Sequence, residues 1–285
     1  MVPLLTRVWF VVGLLLGPLP LSAHGPLHEE ILRLTAELER KPNDRELLIQ
    51  RGELFRVHEL YSEARLDWEK AAALQPADAT NDLRLGLIAL GTRETNAAVQ
   101  LLERFATRVP TSLPGQLSAA EATRLAGDYP SSTRHWTAAI ALSEEPRPEW
   151  FLERARTAEK GGVPVADILA GLDEGIQRYG PLPALQLKAV DLEVGRGQID
   201  AALRRLSAIA ERADRKERWL MRRGEVLLTA GRTNEARAEF TAARAALDQL
   251  PEKLKRAWIA TDLRQQIDTK LASLDAILKT PPAQP

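Results

Sequence analysis

The sequence contains no cysteine. That excludes disulfides, thiolate metal sites and lipid attachment through a terminal cysteine. Neither sign of charge is in surplus, with 39 basic and 39 acidic residues. A nucleic-acid binder shows a clustered basic excess, so no nucleic-acid partner is expected. There are four histidines, and no Walker loop, dinucleotide glycine pattern, HExxH or GxSxG occurs. Catalysis needs polar groups converging at short range. This thin inventory predicts a protein that is not an enzyme and holds no cofactor. The N-x-S/T acceptor is missing as well, which leans away from a eukaryotic secretory route.

One apolar run is present, from Val8 to Leu21, preceded by Arg7. A helix needs about 20 apolar residues to span a bilayer, and this run is shorter. It has the length of a signal-peptide core, and Ser22 and Ala23 supply small residues for cleavage. Pro18 and Pro20 would leave the peptide extended just before the cut. Residues 1–23 therefore read as a signal peptide, the only membrane-directed segment expected. The protein is expected to be exported, to a bacterial periplasm. Once Arg7 is removed, the formal balance is −1.

Self-similarity organises the rest. Gly52 is followed by Ala64, Trp68, Ala71 and Pro76, and Gly86 by Ala98, Leu102, Phe105 and Pro110 at the same offsets. Ala120, Ser132, Trp136 and Ala139 keep step, so three copies begin 34 residues apart. A fourth clear copy runs Gly224, Ala236, Phe240, Ala243, and two looser ones lie around Ala155 to Gly175 and Ala189 to Ala208. A small residue on one helix lets a second helix approach, and the large residue four further on fills the space beside the contact. Prolines stop or start helices. Gly127 and Gly231 supply the left-handed conformation that a helix end favours. Trp68, Trp136, Trp150, Trp219 and Phe240 fall at repeat spacing and are expected in the core.

On these residues the chain resembles the tetratricopeptide-repeat (TPR) family. The best copy, ELLIQRGELFRVHELYSEARLDWEKAAALQP, carries Tyr61 at the family's aromatic turn position. Arg51 and Arg223 stand where the family prefers an apolar residue, and Phe105 where it prefers Ala, which suggests local repacking. The resemblance implies an all-α, right-handed superhelical solenoid of antiparallel helix pairs. It would comprise about six repeats over 45–250, four of them clear. An N-terminal capping helix is expected within 24–44, with Ile31, Leu34 and Leu38 on one face. A C-terminal capping helix is expected over 251–279, its inner face formed by Leu254, Trp258, Ile267, Leu271, Leu274 and Leu278. Caps with a polar outer side cover the apolar ends of a repeat stack. The tail, 280–285, is too proline-rich to pack.

In TPR proteins the first helix of each pair lines a concave face. The register places there Ile49, Glu53 and Arg56, then Leu83, Leu87 and Leu90, then Leu117, Glu121 and Arg124. Leu152, Arg156 and Glu159 follow, then Val190 and Glu193, then Met221, Glu225 and Leu228. Ile49, Glu53, Leu83 and Leu87 match positions where some family members clamp a peptide carboxylate, and none of them can donate to one. The mixture better suits an apolar or amphipathic segment of a protein partner, which makes an interaction scaffold or assembly factor the expected function. Part of the leucine stripe could instead be buried by the superhelix itself. His58, at a helix-to-turn junction, and His135, on a second helix facing the convex side, read as ordinary surface histidines.

The mature start offers an alternative. Cleavage after Ala23 would expose His24 as the terminal residue, with His28 four places on. A terminal amine and two imidazoles form a nitrogen-rich site suited to copper. The competing reading of HGPLH is a plain helix start, with Pro26 in the first turn.

Overall fold

The computed structural model describes residues 25–279, and side chains over 28–276. Residues 1–23, expected to be a signal peptide, His24 and the tail 280–285 lie outside the described residues. No strand occurs among the described residues. The chain divides into two compact units, one reaching Thr92 and one beginning at Arg93.

In the first unit, α1 (Gly25–Arg40), α2 (Arg45–Val57), α3 (Tyr61–Leu74) and α4 (Thr80–Gly91) pack in chain order. Asp44 begins α2 by accepting from the amides of Glu46 and Leu47, capping donors that a helix start leaves unpaired. A β-carbon added at Gly52 would fall 2.5 Å from the Trp68 ring. The absent side chain is thus the slot into which the indole fits. The Trp68 Nε1 donates to the Ile49 carbonyl at 3.2 Å, satisfying the one polar atom of a buried ring. On α1, Ile31, Leu34 and Leu38 are buried, as expected for a cap.

The second unit begins with α5 (Thr95–Arg108), α6 (Leu113–Leu125) and α7 (Tyr129–Leu142). It continues through α8 (Pro148–Lys160), α9 (Val165–Tyr179), α10 (Pro183–Gly195) and α11 (Ile199–Arg212). It closes with α12 (Glu217–Thr229), α13 (Thr233–Asp248), α14 (Glu252–Lys255) and α15 (Trp258–Lys279). Each helix from α5 to α12 packs on the next, and α15 packs on α13. The small-against-large device recurs: a β-carbon added at Gly115 would fall 2.5 Å from the Phe105 ring, and one at Gly224 2.7 Å from the Phe240 ring. Gly127 and Gly231 take φ of 79° and 70°, the left-handed conformation expected of them. Trp136, Trp219 and Phe240 are buried and Trp150 is partly buried.

Polar side chains carry the local repacking expected at the positions that depart from the family preference. Arg51 makes two 2.7 Å bonds to Asp67 and one of 3.0 Å to Thr35, tying α1, α2 and α3 together. Arg223 repeats the arrangement with Glu239 and Ser207, across α11, α12 and α13. These two positions depart from the family preference because an ion pair and a hydroxyl fill the space. His135 corrects an expectation. It is buried, with Nδ1 2.7 Å from Gln116 and Nε2 3.0 Å from Glu103, so it links α5, α6 and α7.

The C-terminal cap also differs from expectation. It is broken between Lys255 and Trp258. Ile267, Leu271 and Leu274 are buried on the cluster formed with Phe240, Ala243 and Leu247. Leu254 and Trp258, expected on the inner face, are 40% and 76% exposed. The turn Arg256–Ala257 swings both away from the seam, and the side chain of Leu278 lies outside the described residues.

Candidate partner-binding cleft

Helices α6, α7 and α8 enclose a cleft of about 500 Å³, lined by Glu121, Arg124, Tyr129, Trp136, Glu153, Arg156, Thr157, Glu159 and Lys160. Short connections build it. Asp128 starts α7 by accepting from the Ser131 amide at 3.1 Å, which places Tyr129 at the mouth. The hydrogen bond from the Ser131 side chain, and then that from its amide, hold the Asp128 carboxyl below its ordinary range. Pro148, in the first turn of α8, has no N–H to lose there.

The charged walls are largely self-paired. Arg124 bonds Glu121 at 2.5 and 2.8 Å along α6, and that hydrogen bonding raises the guanidinium above its usual value. Arg156 bonds Glu153 at 2.6 Å along α8, and Glu159 pairs with Lys188 of α10. Lys160 differs. Its ammonium lies 5.2 Å from the centroid of the Tyr129 ring, and no carboxylate of the described residues pairs with it. A cation over an aromatic face keeps its charge available to a ligand.

Trp136 also lacks a partner. The ring is 8% exposed and its Nε1 is buried without an acceptor, whereas Trp68, at the corresponding place in its own repeat, has one. An unpaired buried donor is costly, of order 1–3 kcal/mol. The cleft therefore combines one unpaired lysine with two aromatic rings, and the Trp136 N–H is buried behind its wall.

Of the residues expected to line a groove, the cleft brings together Glu121, Arg124, Arg156 and Glu159. Leu117 is half-buried on α6 but lies outside the lining. Glu225 is half-buried and held by Arg222 at 3.0 Å. Val190, Glu193 and Met221 are buried at 0%, 4% and 6%, so they are interior rather than groove residues. Glu193 is engaged by Arg205 at 2.8 Å, and Met221 packs with Phe240 and Leu227. Leu152 and Leu228 are partly buried against core clusters. In the first unit, Glu53 is exposed and pairs with Arg56, while Leu83, Leu87 and Leu90 are half-buried on α4. Ile49 packs partly against the cluster of Leu38, Leu48 and Ala71.

Tyr129, Trp136, Glu153 and Lys160 were not read as site residues. Three of them stand at helix ends or on second helices, outside the face that the repeat register singles out. The available signal was the shared end of two neighbouring helices: Tyr129 opens α7 and Lys160 closes α8. His28 is exposed in the first turn of α1, and no group of three potential metal ligands occurs among the described residues.

No family model matches the sequence, and no curated protein matches it at a significant level. Solved structures do match in fold. One is the C-terminal part of a TPR repeat-containing protein from Cytophaga hutchinsonii, 13% identical, with a TM-score of 0.54 over 89% of this chain and 92% of that one. Another is a tetratricopeptide repeat protein from Parabacteroides merdae, 14% identical, TM-score 0.50, covering 86% of this chain and 93% of that one. A third is a chain of the Naa15/Naa10 complex bound to HypK-THB, 16% identical, TM-score 0.51, where 90% of this chain spans 39% of the other. With its consecutive helix pairs and glycine-against-aromatic contacts, the chain has the fold of tetratricopeptide-repeat proteins.

Proposed function

We propose that the protein is an exported interaction scaffold that holds an amphipathic segment of a protein partner in the cleft between α6, α7 and α8. The carrying observation is an unpaired Lys160 held over the Tyr129 ring, beside Trp136, in one concave site. Its ammonium takes an acceptor, and a peptide supplies one as an acidic side chain. Tyr129 and the Trp136 ring offer apolar area beside it, as peptide grooves commonly do. The self-paired glutamates and arginines set orientation by charge pattern more than they add affinity. The apolar run of residues 1–23 supports an extracytoplasmic place of work, in a bacterial periplasm.

A phage-displayed peptide library tests this reading directly. Sequences enriched on the full chain should carry an acidic residue beside an apolar one. They should be lost on Lys160→Glu while the helical circular dichroism is unchanged. Enriched peptides that bind this variant as well as the parent would remove the cleft from the account.

A further inference from the structure

The corner between α14 and α15 displays apolar surface that the fold leaves uncovered. Within the run KLKRAWIA, Lys253 to Ala260, Leu254 is 40% exposed, Trp258 76% and Ile259 65%. Single exposed apolar residues are ordinary, but three large ones within six positions at one corner mark a contact surface. The same run carries Lys253, Lys255 and Arg256. Glu252 takes Lys255 at 2.9 Å, and no carboxylate of the described residues is paired with Lys253 or Arg256.

We propose that this corner docks the protein on an anionic lipid bilayer. Tryptophan concentrates where an apolar medium meets water, because its ring is apolar and its N–H is wet. Cations flanking it select a negatively charged headgroup layer. A protein partner fits less well. Interface cores are depleted in lysine, and their aromatic anchors sit in a central, desolvated cluster ringed by other contacts. Here Trp258 and Ile259 are exposed within six residues of the exposed Lys253 and Arg256. No helix of the described residues is long and apolar enough to cross a membrane. The corner would lie on the surface rather than span it. The 22-residue α15 begins at Trp258, so the positive end of its dipole adds to the local field. None of this depends on the cleft, and the two proposals fail independently.

Flotation of the full chain with vesicles provides the test. Vesicles of equimolar phosphatidylglycerol and phosphatidylcholine should carry the protein, those of phosphatidylcholine alone should carry much less, and added salt should release it. Lys253→Gln and Arg256→Gln should each weaken partitioning about fivefold. Trp258→Ser with Ile259→Ser should weaken it about tenfold or more. The comparison is made at a lipid concentration where about half of the parent floats, so that a change in partitioning at the corner is readable. Brominated lipid should quench a fluorescence component that Trp258→Phe removes. Equal flotation of the parent and the Trp258→Ser, Ile259→Ser variant, or no quenching, overturns the proposal. So does a dimer in sedimentation that the same substitutions dissociate, since a second copy would then cover the corner.

Discussion

Helices α1 and α15 both close a helix stack, one at each end of the described chain, and they handle apolar residues differently. On α1 the periodic set Ile31, Leu34 and Leu38 is buried, and among the described large apolar side chains Leu32 is left exposed. At the other end Ile267, Leu271 and Leu274 are buried, while Leu254, Trp258 and Ile259 cluster outward. A cap needs one apolar stripe against its neighbour and a polar outer face. α1 meets that requirement closely. The α14–α15 corner exceeds it, leaving three large apolar side chains outside the packed seam.

Substitutions should separate the two sets sharply. Leu34→Ala and Ile267→Ala each empty a site that is at most 1% exposed, and each should cost about 2–5 kcal/mol in urea denaturation. A much smaller loss at Ile267 would mean that α15 frays separately and is no cap. Next come the polar joints beneath the caps. Asp67→Ala and Glu239→Ala leave Arg51 and Arg223 partly buried without their carboxylates, and should cost about 1–3 kcal/mol. Replacing each pair by apolar residues of similar volume should recover most of that loss.

Asp128→Ala removes the start of α7 and should cost about 1 kcal/mol. Its pH dependence has a definite sign. The folded carboxyl lies below its ordinary value of 3.8, so its contribution is complete above that value. The contribution disappears as pH falls through the lowered value. The stability gap between parent and Asp128→Ala should therefore close on acidification below about pH 4. The smallest effect belongs to the outward corner: Trp258→Ala should change stability by no more than about 0.5 kcal/mol. A loss as large as that at Ile267 would make Trp258 a core residue in solution and cancel the contrast between the caps.

The repeat was legible because its cause is local. Gly52 and Trp68, or Gly224 and Phe240, sit at a fixed offset since a ring occupies the space a β-carbon would take. The fold and the identity of its large core residues follow from that spacing. The misreadings have a common origin in assigning each position one face. His135 looked solvent-facing on its own helix, yet Gln116 and Glu103, on the two preceding helices, turn its position into a polar joint. Val190, Glu193 and Met221 followed the inner-face register, but contacts with the second helices bury them. Trp258 continued the apolar spacing of a helix whose break no proline or glycine announces. The cleft was half legible: Glu121, Arg124, Arg156 and Glu159 came from the register, whereas Tyr129 and Lys160 reach it from helix ends.

Site-specific photo-crosslinking tests most directly whether the cleft is where a partner is held. A benzophenone amino acid placed at Arg156, in the cleft, is compared in cells with one at Ala242, exposed on α13. A discrete adduct at position 156, absent at 242 and lost with Lys160→Glu, is the expected result. Adducts equally strong at both positions, or one at 156 that persists with Lys160→Glu, would contradict it.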